Sequence, residues 1–167
     1  MEIREVVPEE YEQAGEVVAE AYSEFVDPGD TGWEEHLALV RDVAGRVDRT
    51  VVLVAVEGDR IVGSATIELD DVIGDDDHEL TPEAAILRML GVAPSARGKG
   101  VGRALVRAVI ERARVAGKRE LLLRTTPPML AAQRLYESMG FERDPSLDIP
   151  IAEDFTLIGY RLPLASP

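Results

Sequence analysis

The sequence predicts an α/β fold in which one mixed, mostly antiparallel sheet is flanked by helices. Three observations predict it. Segments of strand and helix character follow each other in the order β-α-α-β-β-β-α-β-α-β-β. A strand, a glycine-rich turn and a helix start are written consecutively around Arg97-Gly98-Lys99-Gly100-Val101-Gly102. No internal repeat, low-complexity segment or linker interrupts the 167 residues, so a single domain spanning residues 1–167 is expected, long enough for a real core.

Each element has a local cause. Glu2–Val7 alternates and stops at Pro8, which reads as a short strand. Pro8 opens a helix whose Tyr11, Ala14, Val17, Val18, Ala21 and Tyr22 follow helical spacing. Asp27-Pro28-Gly29-Asp30 breaks it. Thr31, with Glu34 placed for a capping box, starts a second helix with the apolar stripe Trp33, Leu37, Leu39, Val40, Val43 and Val47. Val51–Val56 and Ile61–Leu69 are strands joined at Gly58-Asp59, the second with Ile61, Gly63, Ala65, Ile67 and Leu69 on one face. An acidic loop, Asp70–Pro82, follows. Ala84–Val92 is a strand and Val101–Ala116 a long helix closed by Gly117. Leu121–Thr125 is a strand, Pro127-Pro128 a break, and Met129–Met139 a helix capped by Gly140. Phe141–Arg143 starts a further strand, Asp144–Asp154 is a loop, and Phe155–Leu164 is the last strand.

Composition narrows the function. The chain is 46% hydrophobic and 30% charged, as a water-soluble globular protein is. No apolar run approaches the roughly 20 residues of a membrane span. Met1-Glu2-Ile3-Arg4-Glu5 lacks the basic start of a signal peptide, so a cytoplasmic location is expected. With no cysteine, thiolate nucleophiles, disulfides and cysteine-based zinc sites are excluded, and no metal is expected. A net charge of −14 argues against nucleic acid as a partner. Basic residues concentrate in Arg88–Arg124, while the first eighty residues are acidic. The acidity aids solubility. It would also suit a polyanion at the basic strip and a cationic substrate elsewhere.

The glycine turn carries the chemistry. It follows Ile86–Val92 and leads into a helix, so its backbone amides gather at the positive end of a helix, where phosphate is favoured. A Walker A loop would need glycine at position 93 and Ser or Thr after Lys99, but Ala93 and Gly100 stand there. A dinucleotide fingerprint would need glycine where Arg103 or Leu105 stands, and an acidic residue on the next strand, which reads Leu121-Leu122-Leu123.

A third pattern fits. Arg97-Gly98-Lys99-Gly100-Val101-Gly102 resembles the acyl-CoA-binding turn of the GNAT superfamily of N-acetyltransferases. Upstream, Met89-Leu90-Gly91-Val92-Ala93-Pro94 is similar to that family's central strand. Downstream, Ala132, Leu135-Tyr136 and Gly140-Phe141 are similar to its following helix and strand. The resemblance implies the GNAT-like acyl-CoA N-acyltransferase fold, with a splayed central strand pair, and an acetyltransferase that uses acetyl-CoA as cosubstrate. The amides of Gly98 to Arg103 would meet the pyrophosphate, and Arg97, Lys99 and Arg103 would add charge, with glycine at 98, 100 and 102 allowing positive φ and close approach. The central strand would bulge near its end, with Gly91 at the bulge. Backbone groups of Leu90, Gly91 and Val92 would pair with pantetheine, and Thr125 would line the other side of the split.

The same resemblance makes Tyr136 the general acid that protonates the departing thiolate after direct attack by a primary amine of a small molecule or peptide. Two positions depart from the family pattern: Met129 stands where an Asn often contacts CoA, and Ile86 where a Glu base is often found. Glu68, His78, Glu79 and Glu83 are the remaining base candidates, with Glu83 placed first. Pro127-Pro128 and Ile149-Pro150 would shape the acceptor pocket, and Tyr22 and Phe25 would border it, while Trp33 on its helical stripe is expected in the core. The alternative function is a non-catalytic CoA-binding sensor or interaction module. Proteins of this kind commonly dimerise, and no feature of the sequence requires it.

Overall fold

The apolar periodicities become a sheet covered by helices on both faces in a computed structural model, which describes residues 1–26, 31–69, 82–153 and 155–165. The elements are β1 (Glu2–Glu5), α1 (Tyr11–Ser23), α2 (Thr31–Arg41), β2 (Val51–Glu57), β3 (Arg60–Glu68), β4 (Ala84–Val92), α3 (Val101–Val115), β5 (Glu120–Thr125), α4 (Leu130–Ser138), β6 (Glu142–Arg143), β7 (Ile149–Ala152) and β8 (Phe155–Pro163). The strands line up as β1-β2-β3-β4-β5-β8-β6, with β7 added on β8. Neighbours pair antiparallel except β4 and β5, whose parallel pairing needs a crossover, supplied by α3. The mixed, mostly antiparallel sheet expected from the sequence is present.

Two glycines show which helix covers which face. A Cβ on Gly63 would stand 2.9 Å from the Leu105 side chain of α3, and one on Gly91 would stand 2.8 Å from Val18 Cα of α1. Gly91 pairs with Ser64, the residue after Gly63, and successive side chains point to opposite faces. So α3 covers one face and α1 the other. Leu105, Val106 and Val109 of α3 are fully buried, each contributing roughly 1.5–3 kcal/mol. Because both faces are covered, β3 is buried along Ile61–Glu68. Its second face is small and polar (Ser64, Thr66, Glu68) rather than solvated, as a one-sided alternation would suggest.

Some boundaries differ from expectation for local reasons. α2 ends at Arg41, not Val47, because the Asp42 carboxylate accepts the Gly45 N–H at 3.0 Å and turns the chain. Val43 is still buried, whereas Leu39 is exposed. Residues expected to be loop, Ile149–Ala152, form the edge strand β7; an edge tolerates Pro150. The breaker at Asp27–Asp30, the Thr31 capping side chain and residues 70–81 of the acidic loop lie outside the described residues.

The β3–β4 pairing contains the fold's main irregularity. Ser64 pairs with Gly91 and Thr66 with Arg88, so Ala65 alone stands opposite Met89 and Leu90. This is a β-bulge, and Met89 takes the left-handed region at φ 54°. The bulge is therefore at Met89–Leu90, not at Gly91. Gly91 is in register, and α1's approach leaves no room for a side chain there.

Candidate active site

The two central strands part company. β4 and β5 are in register only from Ala84–Glu120 to Leu87–Leu123. Beyond that rung β5 stays with β8, through Arg124–Gly159 and Thr125–Ile158, while β4 stays with β3. The sheet forks, and the edges facing each other across the fork carry backbone donors and acceptors that no strand partner among the described residues takes up. The bulge at Met89–Leu90 lies on this fork.

The glycine turn stands at the end of β4. After a short helical turn, Pro94–Ala96, Gly98 and Gly100 take φ 76° and 83°, and Gly100 is the N-cap of α3. Nothing lies within 4 Å of where a Cβ would be on either, so the turn is open to solvent. The first helical bond runs from the Ala104 N–H to the Gly100 carbonyl at 3.0 Å. The amides of Val101, Gly102 and Arg103 precede it and lie at the positive end of a 15-residue helix. Gly102 is helical rather than left-handed, and its missing side chain leaves room for Leu135 of α4.

At the fork lies a cleft of about 730 Å³. One wall is Leu90 of β4, Thr125 of β5 and Tyr136 of α4. α4 is seated by Gln133, whose amide donates to the Thr126 and Pro127 carbonyls at 3.1 and 3.0 Å. Tyr136 is 6% exposed and packs against Phe141 and Tyr160 at ring separations of 5.6 and 6.2 Å. Burial, reinforced by nearby Tyr22, pushes its phenol far above the usual tyrosine range. Another part of the lining is aromatic. Trp33 of α2 meets Phe155 of β8 edge-on at 6.3 Å, and Tyr22 of α1 lies parallel to His36 at 6.1 Å.

This architecture has relatives. The acetyltransferase (GNAT) family profile matches residues 16–141. The chain belongs to the GNAT acetyltransferase family. A mycothiol acetyltransferase from Geodermatophilus obscurus is 31% identical over 125 residues, covering 75% of this chain and 39% of its own length. Ribosomal-protein-alanine N-acetyltransferase from Brucella melitensis superposes with a TM-score of 0.71 at 23% identity, covering 98% of this chain and 100% of its own. YncA from Salmonella typhimurium, assigned as an acetyltransferase and solved with its cofactor acetyl-CoA, superposes at 0.68 with 22% identity over 100% of this chain and 95% of its own. The fold is the GNAT fold, and acetyl transfer from acetyl-CoA is the family's general activity. The chain spans 26–40% of the length of the first curated relatives it matches.

Within the GNAT frame the site residues fall in three groups. Leu90, Thr125 and Tyr136 come together in the cleft wall, and Gly98–Arg103 form the turn beyond it. Arg97 and Arg103 are engaged within the chain: Arg97 Nη1 holds both Glu24 oxygens at 2.9 and 2.8 Å, and Arg103 Nη2 meets the Ser138 hydroxyl at 2.8 Å. Lys99 is exposed.

The second group is displaced. Glu83 does not reach the cleft. It is exposed in the turn before β4, at the closed end of the fork, where its backbone carbonyl accepts the Arg119 and Glu120 N–H groups at 2.7 and 3.2 Å. It is seven residues from Leu90, roughly 23 Å of strand rise. Glu68 is fully buried, stands directly opposite Ile86, and holds Arg88 Nη1 at 3.0 Å. It serves as the counter-ion that positions Arg88. His78 and Glu79 lie outside the described residues. Trp33 lines the cleft instead of the core: it sits in the first turn of α2, ahead of the buried Leu37 and Val40, and packs against Phe155, while Ile151 and Ala152 line the cleft rather than Ile149-Pro150.

The third group was not anticipated. His36, Arg88 and Arg124 are all in the cleft lining. No local motif announces them, since they come from three separate elements.

Proposed function

We propose that the chain transfers an acetyl group from acetyl-CoA to a primary amine by direct attack, with both substrates held in the cleft together. The observation that carries this reading is the fork between β4 and β5 beyond Leu87–Leu123, with an open glycine turn and helix N-terminus at its mouth. The residues present suit the cosubstrate. A pyrophosphate has converging amides at Gly98–Arg103, and pantetheine amides have the facing edges of β4 and β5. When bound, acetyl-CoA supplies the activated acetyl group. Tyr136 then donates its phenolic proton to the sulfur as the C–S bond breaks and the N–C bond forms. Its burial keeps it protonated at neutral pH, ready as a donor. The amine sheds its own proton to solvent.

Isothermal titration with acetyl-CoA tests this. Saturable binding is expected, and Gly100→Glu is expected to weaken it at least about 100-fold, roughly 2.7 kcal/mol, by adding a like charge and a side chain at positive φ. No binding at millimolar ligand would end the proposal.

A binding-only module is the second reading, favoured by one observation: Ile86 lines the cleft where the resemblance implies a carboxylate. Thiol release against an amine panel separates the two. Binding without turnover, with Tyr136→Phe changing nothing, would establish the second.

A further inference from the structure

The chain has one Trp, four Tyr and three Phe, and five of these rings line one cleft: Tyr22, Phe25, Trp33, Tyr136 and Phe155. They are brought there from α1 and the residues after it, α2, α4 and β8. The core is mainly aliphatic, with Val18, Leu53, Ile67, Leu105 and Leu121 among its fully buried side chains. In a chain that is only 5% aromatic, the rings are therefore concentrated at the site rather than spread through the interior. Phe25 and Ile151 are 36% and 58% exposed and both line the cleft, so apolar surface is left open there.

The rings form a file. Tyr22 is close enough to Tyr136 for the two phenols to interact electrostatically. Tyr22 lies parallel to His36, His36 meets Trp33 edge-on at 5.6 Å, and Trp33 meets Phe155 edge-on at 6.3 Å. The file thus leads from the proposed proton donor to β8. In an edge-on pair one ring keeps its faces clear of its partner, and a further ring can join in the same geometry.

The charged groups of the lining are engaged within the chain. Arg88 and Arg124 follow the last rung, Leu87–Leu123. Arg88 is ion-paired with the buried Glu68 at 3.0 Å, and Arg124 Nε donates to the Leu147 carbonyl at 2.7 Å. No Asp or Glu is among the described lining residues. This lining suits the apolar part of an acceptor better than a row of ammonium groups.

Resting on the acetyltransferase reading above, we propose that the acceptor is an arylalkyl primary amine, its ring seated among Tyr22, Trp33 and Phe155 and its nitrogen carried by a short linker to the thioester beside Tyr136. The N–C bond forms as the C–S bond breaks, Tyr136 protonates the sulfur, and the amine proton goes to solvent. The products are the N-acetyl amide and CoA.

Thiol release from acetyl-CoA is compared for 2-phenylethylamine against ethylamine, spermidine and trialanine. 2-Phenylethylamine is expected to exceed ethylamine in kcat/KM by about 30-fold, the size of one buried ring. Trp33→Ala and Phe155→Ala are each expected to reduce that ratio to below about 5, and Trp33→Phe to keep it above about 10. A ratio of two substrates on one preparation cancels any loss of folded protein. Trp33 is the chain's one tryptophan, so its fluorescence reports the occupant directly. N-acetyl-2-phenylethylamine is expected to change the emission saturably, and N-acetylethylamine to leave it flat. Ethylamine acetylated as well as 2-phenylethylamine, or a ratio unmoved by both alanine variants, overturns the inference and leaves acetyl transfer standing. So does a preference for spermidine or for the peptide. A saturable emission change without acetyl-CoA binding supports the ring subsite and removes acetyl transfer. Equal or absent emission changes with the two acetylated probes overturn the inference.

Discussion

The turn end of the cleft is nearly continuous in sequence: β4, the glycine turn and α3 run from Ala84 to Val115. The aromatic end takes Tyr22 from α1, Trp33 and His36 from α2, Arg124 from β5 and Phe155 from β8. The first end depends on backbone, namely a bulge, a fork and a helix N-terminus. The second depends on side chains delivered by separate elements. Backbone devices serve a ligand whose shape is constant, and side-chain walls can change with the acceptor while the strands stay in place. Variants that touch one end should therefore leave the other's ligand largely unaffected.

The sharpest division is expected between chemistry and binding. Tyr136→Phe should lower kcat about 100-fold, the usual size of a lost proton donor, and leave the acetyl-CoA KM within about twofold in steady-state assays. The pH profile checks the same residue. Its phenol is raised above the ordinary 10, so the donor form persists through neutral and mildly alkaline pH. Activity should rise as the amine deprotonates and show no descending limb from Tyr136 below pH 10.

Deleting Met89 is the next largest change. It would bring Leu90 opposite Ala65, leave Arg88 on Thr66 and Gly91 on Ser64, and straighten the edge of the fork. Titration should show acetyl-CoA bound at least about 10-fold more weakly, about 1.4 kcal/mol. Folding should survive. The left-handed residue costs roughly 1–3 kcal/mol and its buried side chain contributes about as much, so denaturation should shift by no more than about 2 kcal/mol. Gly91→Ala acts on packing alone. Its Cβ would stand 2.8 Å from Val18 Cα, and a loss of about 1–3 kcal/mol in urea denaturation is expected. The smallest effect is expected from Glu24→Ala. The Glu24–Arg97 pair is 42–43% exposed, so stability should change by about 0.5 kcal/mol or less. Acetyl-CoA affinity should rise about twofold as Arg97 is released, because an exposed pair is weak.

How much was legible follows the same division. β4 and α3 could be read almost to the residue because periodicity, glycines and a proline all sit inside one local stretch. Tyr136 and Thr125 could be placed because the family resemblance spans their elements. The Arg88–Arg124 pair could not, since it arises from a strand register between residues far apart in sequence. Trp33 looked like core because a helical stripe gives spacing but not where along the helix its cover ends: Leu37 and Val40 are buried, and Trp33, one turn earlier, meets Phe155 in the cleft. Glu83 looked near the cleft because a residue beside a central strand can lie at either end of it. β7 was hidden by Pro150, which is disfavoured in all but an edge strand. The bulge has no signature in residue type at all: Met89 is an ordinary strand residue forced to positive φ by its neighbours' pairing.

That single extra residue sets a frame. Upstream of it the cleft-facing side of β4 is written in even positions, Ile86 and Arg88; downstream the same face is written in odd ones, with Gly91 under α1. The number of residues between Arg88 and Gly91 therefore matters more than their identity. Substitutions at Met89 and Leu90 that keep an apolar character leave the frame intact. One insertion more would turn Gly91 away from α1, bring Leu90 beneath it, and close the space into which the helix packs.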